Sequence, residues 1–171
     1  MSAPTLETAR LRLRPYRAGE FEAFADMWAD PEVVRLITGA PSPRAASWQR
    51  FLRHAGCWSI LGFGYLAIET REGGYLGQIG FMEAKRAITP SLDGTMEMGW
   101  ALTPPAWGKG YAREAGEAML AWADRERPGQ RRTSFIHADH AVSIRLAERL
   151  GFRVFARIEE AGDPVVLMER G

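Results

Sequence analysis

Met96–Arg113 reads MEMGWALTPPAWGKGYAR, and this stretch decides the fold. With the residue before it, it opens as a strand, Thr95 to Leu102. Pro104-Pro105 stops that strand, Gly108 and Gly110 open a loop, and Ala112, Ala115, Met119 and Ala123 then recur at helical spacing. A strand feeding a glycine loop and a helix is an anion cradle. The glycines let the backbone approach a ligand closely, and the first helical turn offers N–H groups with no internal partner. Lys109 and Arg113 add positive charge, so a phosphate or pyrophosphate is the expected guest. A Walker loop needs G-x-x-x-x-G-K-[ST], but Thr103 stands at the first glycine and Gly110 follows Lys109. A dinucleotide fingerprint needs a third glycine where Arg113 stands.

Outward from this stretch the pattern is mixed. Leu11 and Leu13 alternate with arginines as a strand, and Phe21, Phe24, Ala25 and Trp28 fall on one helical face. Asp30-Pro31 restarts a short helix through Ile37, and a third runs from about Arg44 to Trp58. Gly64 to Glu69 and Tyr75 to Met82 read as a hairpin across Arg71-Glu72-Gly73-Gly74, and Ile88 to Gly94 as a polar loop. Beyond Gly110 to Arg127 come a strand at Thr133 to His137 and a helix from His140 to Leu150. Strands at Arg153 to Arg157 and Val165 to Glu169 close the chain. Early hairpins followed by β-α-β units predict an α/β (mixed α+β) fold, not a doubly wound one.

The chain has 171 residues, 46% of them hydrophobic, which fits one domain spanning residues 1–171. A net charge of +1 gives no general attraction to nucleic acid or an anionic membrane. Met1 to Arg10 lacks the apolar core of a signal peptide, and no run approaches the ~20 apolar residues of a membrane helix. A cytoplasmic protein is expected. Cys57 is a lone cysteine in an apolar segment and reads as packing. His137, Asp139 and His140 span a strand end and a helix start, and no metal site is expected there.

Trp107-Gly108-Lys109-Gly110-Tyr111-Ala112 resembles motif A of the GNAT superfamily of N-acetyltransferases, Q/R-x-x-G-x-G/A. Its W-G-K-G-Y-A form is similar to the RimJ/RimL-type branch, the ribosomal-protein N-terminal acetyltransferases. Glu97-Met98-Gly99-Trp100 resembles the E-x-G-[YW] strand, and Ser143 through Phe152 resembles motif B. Leu6 through Arg14 resembles the opening of that branch, so the resemblance spans nearly the whole chain. Trp107 departs from Gln/Arg, His140 from Asn and Arg149 from Lys, and no tyrosine follows Asp163 nearby.

The resemblance implies a mostly antiparallel twisted sheet of about six to seven strands with helices on both faces, and acetyl-CoA as co-substrate. It implies that the strand before motif A splays from its neighbour, exposing backbone at Trp100, Ala101 and Leu102 to the pantetheine. Trp107, Gly108, Lys109, Gly110, Tyr111, Ala112 and Arg113 would hold the pyrophosphate, with His140 and Ser143 near the thiol. The reaction implied is direct attack of a primary amine, on a protein N-terminus or a small molecule, upon the thioester. Glu97 is the candidate base, with His140 or water as alternatives, and Ser143 the candidate donor to the leaving thiolate. The missing tyrosine and the substituted asparagine leave a catalytically silent CoA-binding module as the alternative. Homodimers are common in such families. Trp28, Trp48 and Trp58 lie in helices that wall the acceptor pocket in relatives, although their spacing reads as core. Arg44, Arg50 and Arg53 read as a solvated face before an acidic-substrate patch.

Overall fold

The computed structural model describes residues 3–171; Met1 and Ser2, the start of the segment read for a signal peptide, lie outside it. Eight strands form one sheet: β1 (Leu6–Glu7), β2 (Leu11–Arg14), β3 (Tyr65–Thr70), β4 (Tyr75–Met82), β5 (Met96–Leu102), β6 (Arg132–His137), β7 (Arg153–Glu160) and β8 (Asp163–Arg170). Their order is β1-β2-β3-β4-β5-β6-β8-β7, antiparallel throughout except β5 against β6. The strand beyond the expected seven is β1, too short to show a period of its own.

Alternation along the strands sorts side chains to two faces. Leu11, Leu13, Leu66, Ile68, Ile79, Phe81, Met96 and Met98 meet Ala115, Met119, Leu120 and Trp122 of α4 (Tyr111–Glu126) in one core. Helix α5 (Ala141–Arg149) adds Ala147 to that core. Leu150 of the following turn packs where only a glycine, Gly116, leaves room for it. The opposite face carries α1 (Phe21–Ala29), α2 (Pro31–Val34) and α3 (Arg44–Leu61), where Phe21, Phe24, Trp28 and Phe51 form a second core with Ala101. Leu92, Val165 and Leu167 form a third.

Several boundaries differ from the sequence reading. Helix α2 stops at Val34, whose carbonyl accepts the N–H groups of Ile37, Thr38 and Gly39. That turn carries Arg35–Gly39 away from the core. Helix α3 continues three residues past Trp58, to Leu61, before Gly62 ends it. Gly110 and His140 precede their helices rather than begin them. Among the described residues, no helix is long and apolar enough to cross a membrane.

One ionic cluster ties the early strands together. The Arg14 guanidinium lies between Glu69 and Glu20, with Arg12 on the other Glu69 oxygen at 3.3 Å. Arg14 and Glu69 are buried. The hydrogen bond from Arg14 outweighs burial and holds the Glu69 carboxyl below its ordinary range.

Candidate functional site

Strand β5 has two unlike edges. Against β4 it is registered from Gly77↔Leu102 to Met82↔Glu97, its whole length apart from Met96. Against β6 it pairs at Met96↔Arg132 and Glu97↔Thr133 and then parts from it. The Met96 N–H reaches β6 through Arg131 C=O, and the Thr103 N–H reaches β4 through Leu76 C=O. Alternation then turns the backbone polar groups of Trp100 and Leu102 into the gap and those of Ala101 toward β4. Ser134 Oγ, on β6, donates across the start of the gap to Met98 C=O at 3.0 Å. At its far end Trp107 Nε1 donates to Leu102 C=O at 2.8 Å, fixing a half-exposed indole over the strand terminus.

The loop beyond β5 is built as the glycine spacing predicts. Gly110 sits at φ +78°, where an L side chain is disfavoured, and turns the chain into α4. Trp107 N–H closes on Pro104 C=O, and the next helical amide to be satisfied is Glu114, on Gly110 C=O. Between them, the N–H groups of Gly108, Lys109, Gly110, Tyr111, Ala112 and Arg113 meet no protein acceptor among the described residues. Six consecutive free donors at a helix N-terminus suit a pyrophosphate. Lys109 is exposed beside them; Arg113 instead pairs with Glu117 along the helix at 2.8 Å.

A clasp that went unread braces this loop. Glu114, in the first turn of α4, accepts from Thr8 Oγ1 at 2.6 Å, Arg10 N at 2.9 Å and Arg10 Nε at 2.7 Å. Arg10 Nη1 also donates to Lys109 C=O at 2.9 Å, and its guanidinium lies 4.8 Å from the Tyr111 ring centre. Thr8 and Arg10 belong to the opening motif, and a carboxylate one turn into the helix is the sequence signal for their partner.

Where β5 and β6 part, a cavity of about 490 Å³ opens through the sheet. Trp100, Ile136 and Ser143 line it on the α5 side, and Arg50, His54, Tyr65 and Gln78 on the α3 side. Ser143, nearly buried, receives the Trp100 Nε1 hydrogen bond at 3.2 Å and lies 3.3 Å from His140 Nε2. Burial, with Arg35 and then His137 adding, lowers the His140 pKa below its ordinary value and so favours the neutral ring. Gly99 faces the α3 side, where a β-carbon would press on the Tyr65 hydroxyl and displace that ring.

Glu97 points to the α3 side as alternation predicts and is 6% exposed. It is not free: Arg86 grips both oxygens, at 2.8 and 3.0 Å, from the segment between Met82 and the polar loop that begins at Ile88. Arg86 also lies 3.9 Å from the Phe135 ring centre and 4.0 Å from Glu160. His54 stacks on Tyr65 with centres 4.1 Å apart, and burial pushes its pKa down to about 3. Trp28 lines the cavity, Trp58 is core and Trp48 is exposed. Arg44 lies outside, paired with Glu22, while Arg50 and Arg53 line the cavity. Of the three residues read as a solvated face, Arg50 is half-buried in the wall, while Arg53 is exposed at its rim and Arg44 on the outer surface.

The family described as acetyltransferase (GNAT) domain matches residues 10–153. A solved structure from Bordetella pertussis, described as of the GnaT acetyltransferase family, is 30% identical, covers 98% of this chain and 99% of its own, and superposes with a TM-score of 0.87. The Bacillus subtilis (strain 168) protein YkkB is 28% identical across 99% of this chain and 98% of its own. The ribosomal L7/L12 alpha-N-protein acetyltransferase RimL, solved with coenzyme A, shares the fold at 15% identity, with a TM-score of 0.79 over 98% of this chain and 97% of that one.

Proposed function

The chain belongs to the GNAT acetyltransferase family and is an N-acetyltransferase, and from that premise we propose that it joins acetyl-CoA to a primary amine inside the β5–β6 gap. The observation that carries this reading is the continuity of two features. A run of unsatisfied amides at Gly108–Arg113 leads into a strand edge that has left its neighbour. A diphosphate linked to an extended amide-bearing arm matches both, the first by anion binding and the second by strand addition.

Bound acetyl-CoA supplies an activated thioester carbonyl. The chain supplies the remainder. The amides of Gly108 to Arg113, with Lys109 beside them, hold the pyrophosphate, and Trp107 keeps the loop seated on Leu102 C=O. Trp100 and Leu102 present backbone donors and acceptors to the arm, and Ala101 takes part by packing, since its own polar groups face β4. A β5 N–H facing the gap, Trp100 among them, receives the carbonyl oxygen as charge develops on it. Glu97, oriented by Arg86, accepts the proton the ammonium must lose, directly or through water. The neutral amine attacks, and the C–S bond breaks. Ser143 Oγ–H donates to the departing sulfur, with His140 behind it, in the tautomer that carries its proton on Nε2, donating in turn to Ser143 Oγ.

The test is an acceptor panel with acetyl-CoA, read by thiol release and by mass of the product, beside calorimetry with CoA. Acetylation of one amine class with micromolar CoA binding is the expected result. CoA binding without turnover across the panel would replace the enzyme with a silent CoA-binding module. No CoA binding would overturn both readings.

A further inference from the structure

The cavity has two poles of charge. Its carboxylates, Glu97, Glu160 and Asp163, gather on the β5 and β7–β8 side. Each has a cationic or titratable neighbour: Arg86 for the first two, and His137 Nε2 at 3.8 Å for Asp163. The opposite wall carries Arg35, Arg50 and Arg53, and none lies within 4.0 Å of a carboxylate among the described residues. Arg50 and Arg53 are one helical turn apart on α3, so they share a face, and that face is the cavity wall. The same helix does find a carboxylate for Arg44 on its outer surface. Half-buried Arg50 and rim-exposed Arg53 go without one among the described residues.

Arg50 is also held ready. Its guanidinium lies 4.0 Å from the Trp28 ring centre, and Nη1 donates to Ser42 Oγ at 2.9 Å, which fixes the plane and leaves other N–H groups unspent. Burial, and then the charge of Arg53, lowers Arg50 from its ordinary value, as expected of like charges brought together without a counterion. Planar guanidiniums fixed in place are suited to recognising an oxyanion by paired hydrogen bonds.

We infer that the acceptor is a small amine that itself bears an oxyanion, a carboxylate, phosphate or phosphonate, bound by Arg50 and Arg53 while the amine lies at Glu97. This rests on the acetyl-transfer reading and narrows its substrate class. The two poles favour one orientation of such a molecule, its ammonium away from Arg50 and Arg53 and its anion away from Glu160 and Asp163. A cavity of about 490 Å³ is of the size that small-molecule sites occupy.

The experiment compares α-, β- and γ-amino acids, each beside its own carboxamide, in the wild-type chain and in Arg53→Ala, Arg53→Lys and Arg50→Ala. Arg53 is exposed at the cavity rim, so its removal leaves the core packing intact. The readout is the ratio of kcat/KM for acid over amide. A ratio of about tenfold or more is expected in the wild type. It should fall toward one in Arg53→Ala and stay partly intact in Arg53→Lys. An amide accepted as well as its acid, a ratio unmoved by the alanine variants, or turnover confined to peptides regardless of acidity would each overturn the inference. Calorimetry on CoA-loaded protein separates the two levels. Binding of an acid without turnover, lost in Arg53→Ala, supports the anion site while acetyl transfer fails. Turnover of neutral amines with no acid binding leaves acetyl transfer standing and removes the anion site.

Discussion

The two edges of β5 show how one strand can serve both stability and chemistry. Its β4 edge is zipped nearly end to end, and beyond β4 the sheet continues through β3 and β2 to the buried Arg14–Glu69 pair. Its β6 edge lets go after two residue pairs and leaves strand backbone without a strand partner. Side chains do not explain the contrast, since Met96, Met98 and Leu102 on the same strand are all buried in one core. Backbone pairing does: α4 and β4 secure the strand well enough that the other edge need not be paired. The comparison predicts that damage on the zipped side should appear as lost stability, and damage on the open side as lost binding or rate.

The largest effect is expected on the zipped side. Glu69→Ala removes one of the two carboxylates on buried Arg14, and with Glu20 still on the guanidinium the cost falls at the low end of the range, about 3–5 kcal/mol, for breaking a buried pair. Denaturant unfolding measures this, and the CoA affinity of the folded fraction should not move. The same carboxylate shapes the acid limb. Its folded pKa is depressed, so its contribution is complete above the ordinary carboxylate range and is lost as pH falls through that range toward the folded value. Wild-type stability should therefore drop on acidification, and the Glu69→Ala profile should be flatter there.

Next comes the cradle. Gly110→Asp sets a carboxylate among the free amides, in a left-handed conformation that aspartate tolerates better than most residues. CoA affinity should fall at least hundredfold, about 2.8 kcal/mol, with a small change in Tm. An unchanged Kd would place the pyrophosphate elsewhere. Ser143→Ala should lower kcat about tenfold while leaving KM for acetyl-CoA near its wild-type value, the pattern of a group that acts late in the reaction. Equal losses in Kd and rate would make Ser143 a binding residue instead. The smallest effect is Trp107→Phe, which removes one hydrogen bond to Leu102 C=O and should weaken CoA binding by no more than about 1 kcal/mol.

What the sequence reveals divides along the same line. The glycine loop, its strand and its helix are contiguous, so Gly108, Gly110 and the face shared by Glu97, Gly99 and Ala101 follow from local spacing. The parting of β5 from β6 has no local signature; it came from the family resemblance, because a strand's pattern reports which face is buried and not whether an edge is paired. The cavity was least visible. Arg35, Arg50, Arg86, Glu97, His140 and Glu160 converge from six separate segments, and no window of sequence contains two of the walls they form. Glu97 was read with its chemistry but without Arg86, since a loop arginine has no periodicity to place it. One clue was available at helical spacing: Arg50, Arg53 and His54 make a polar stripe beside Phe51 and Trp58, which are buried.

The gap in the sheet is also a thoroughfare. Its lining comes from both faces, Ser143 and Ile136 on one and His54 and Gln78 on the other. Two reactants can thus approach from opposite sides of a single β-layer and meet within its thickness. On the acetyl-transfer reading each reactant is held from its own face, and the layer itself sets where they meet.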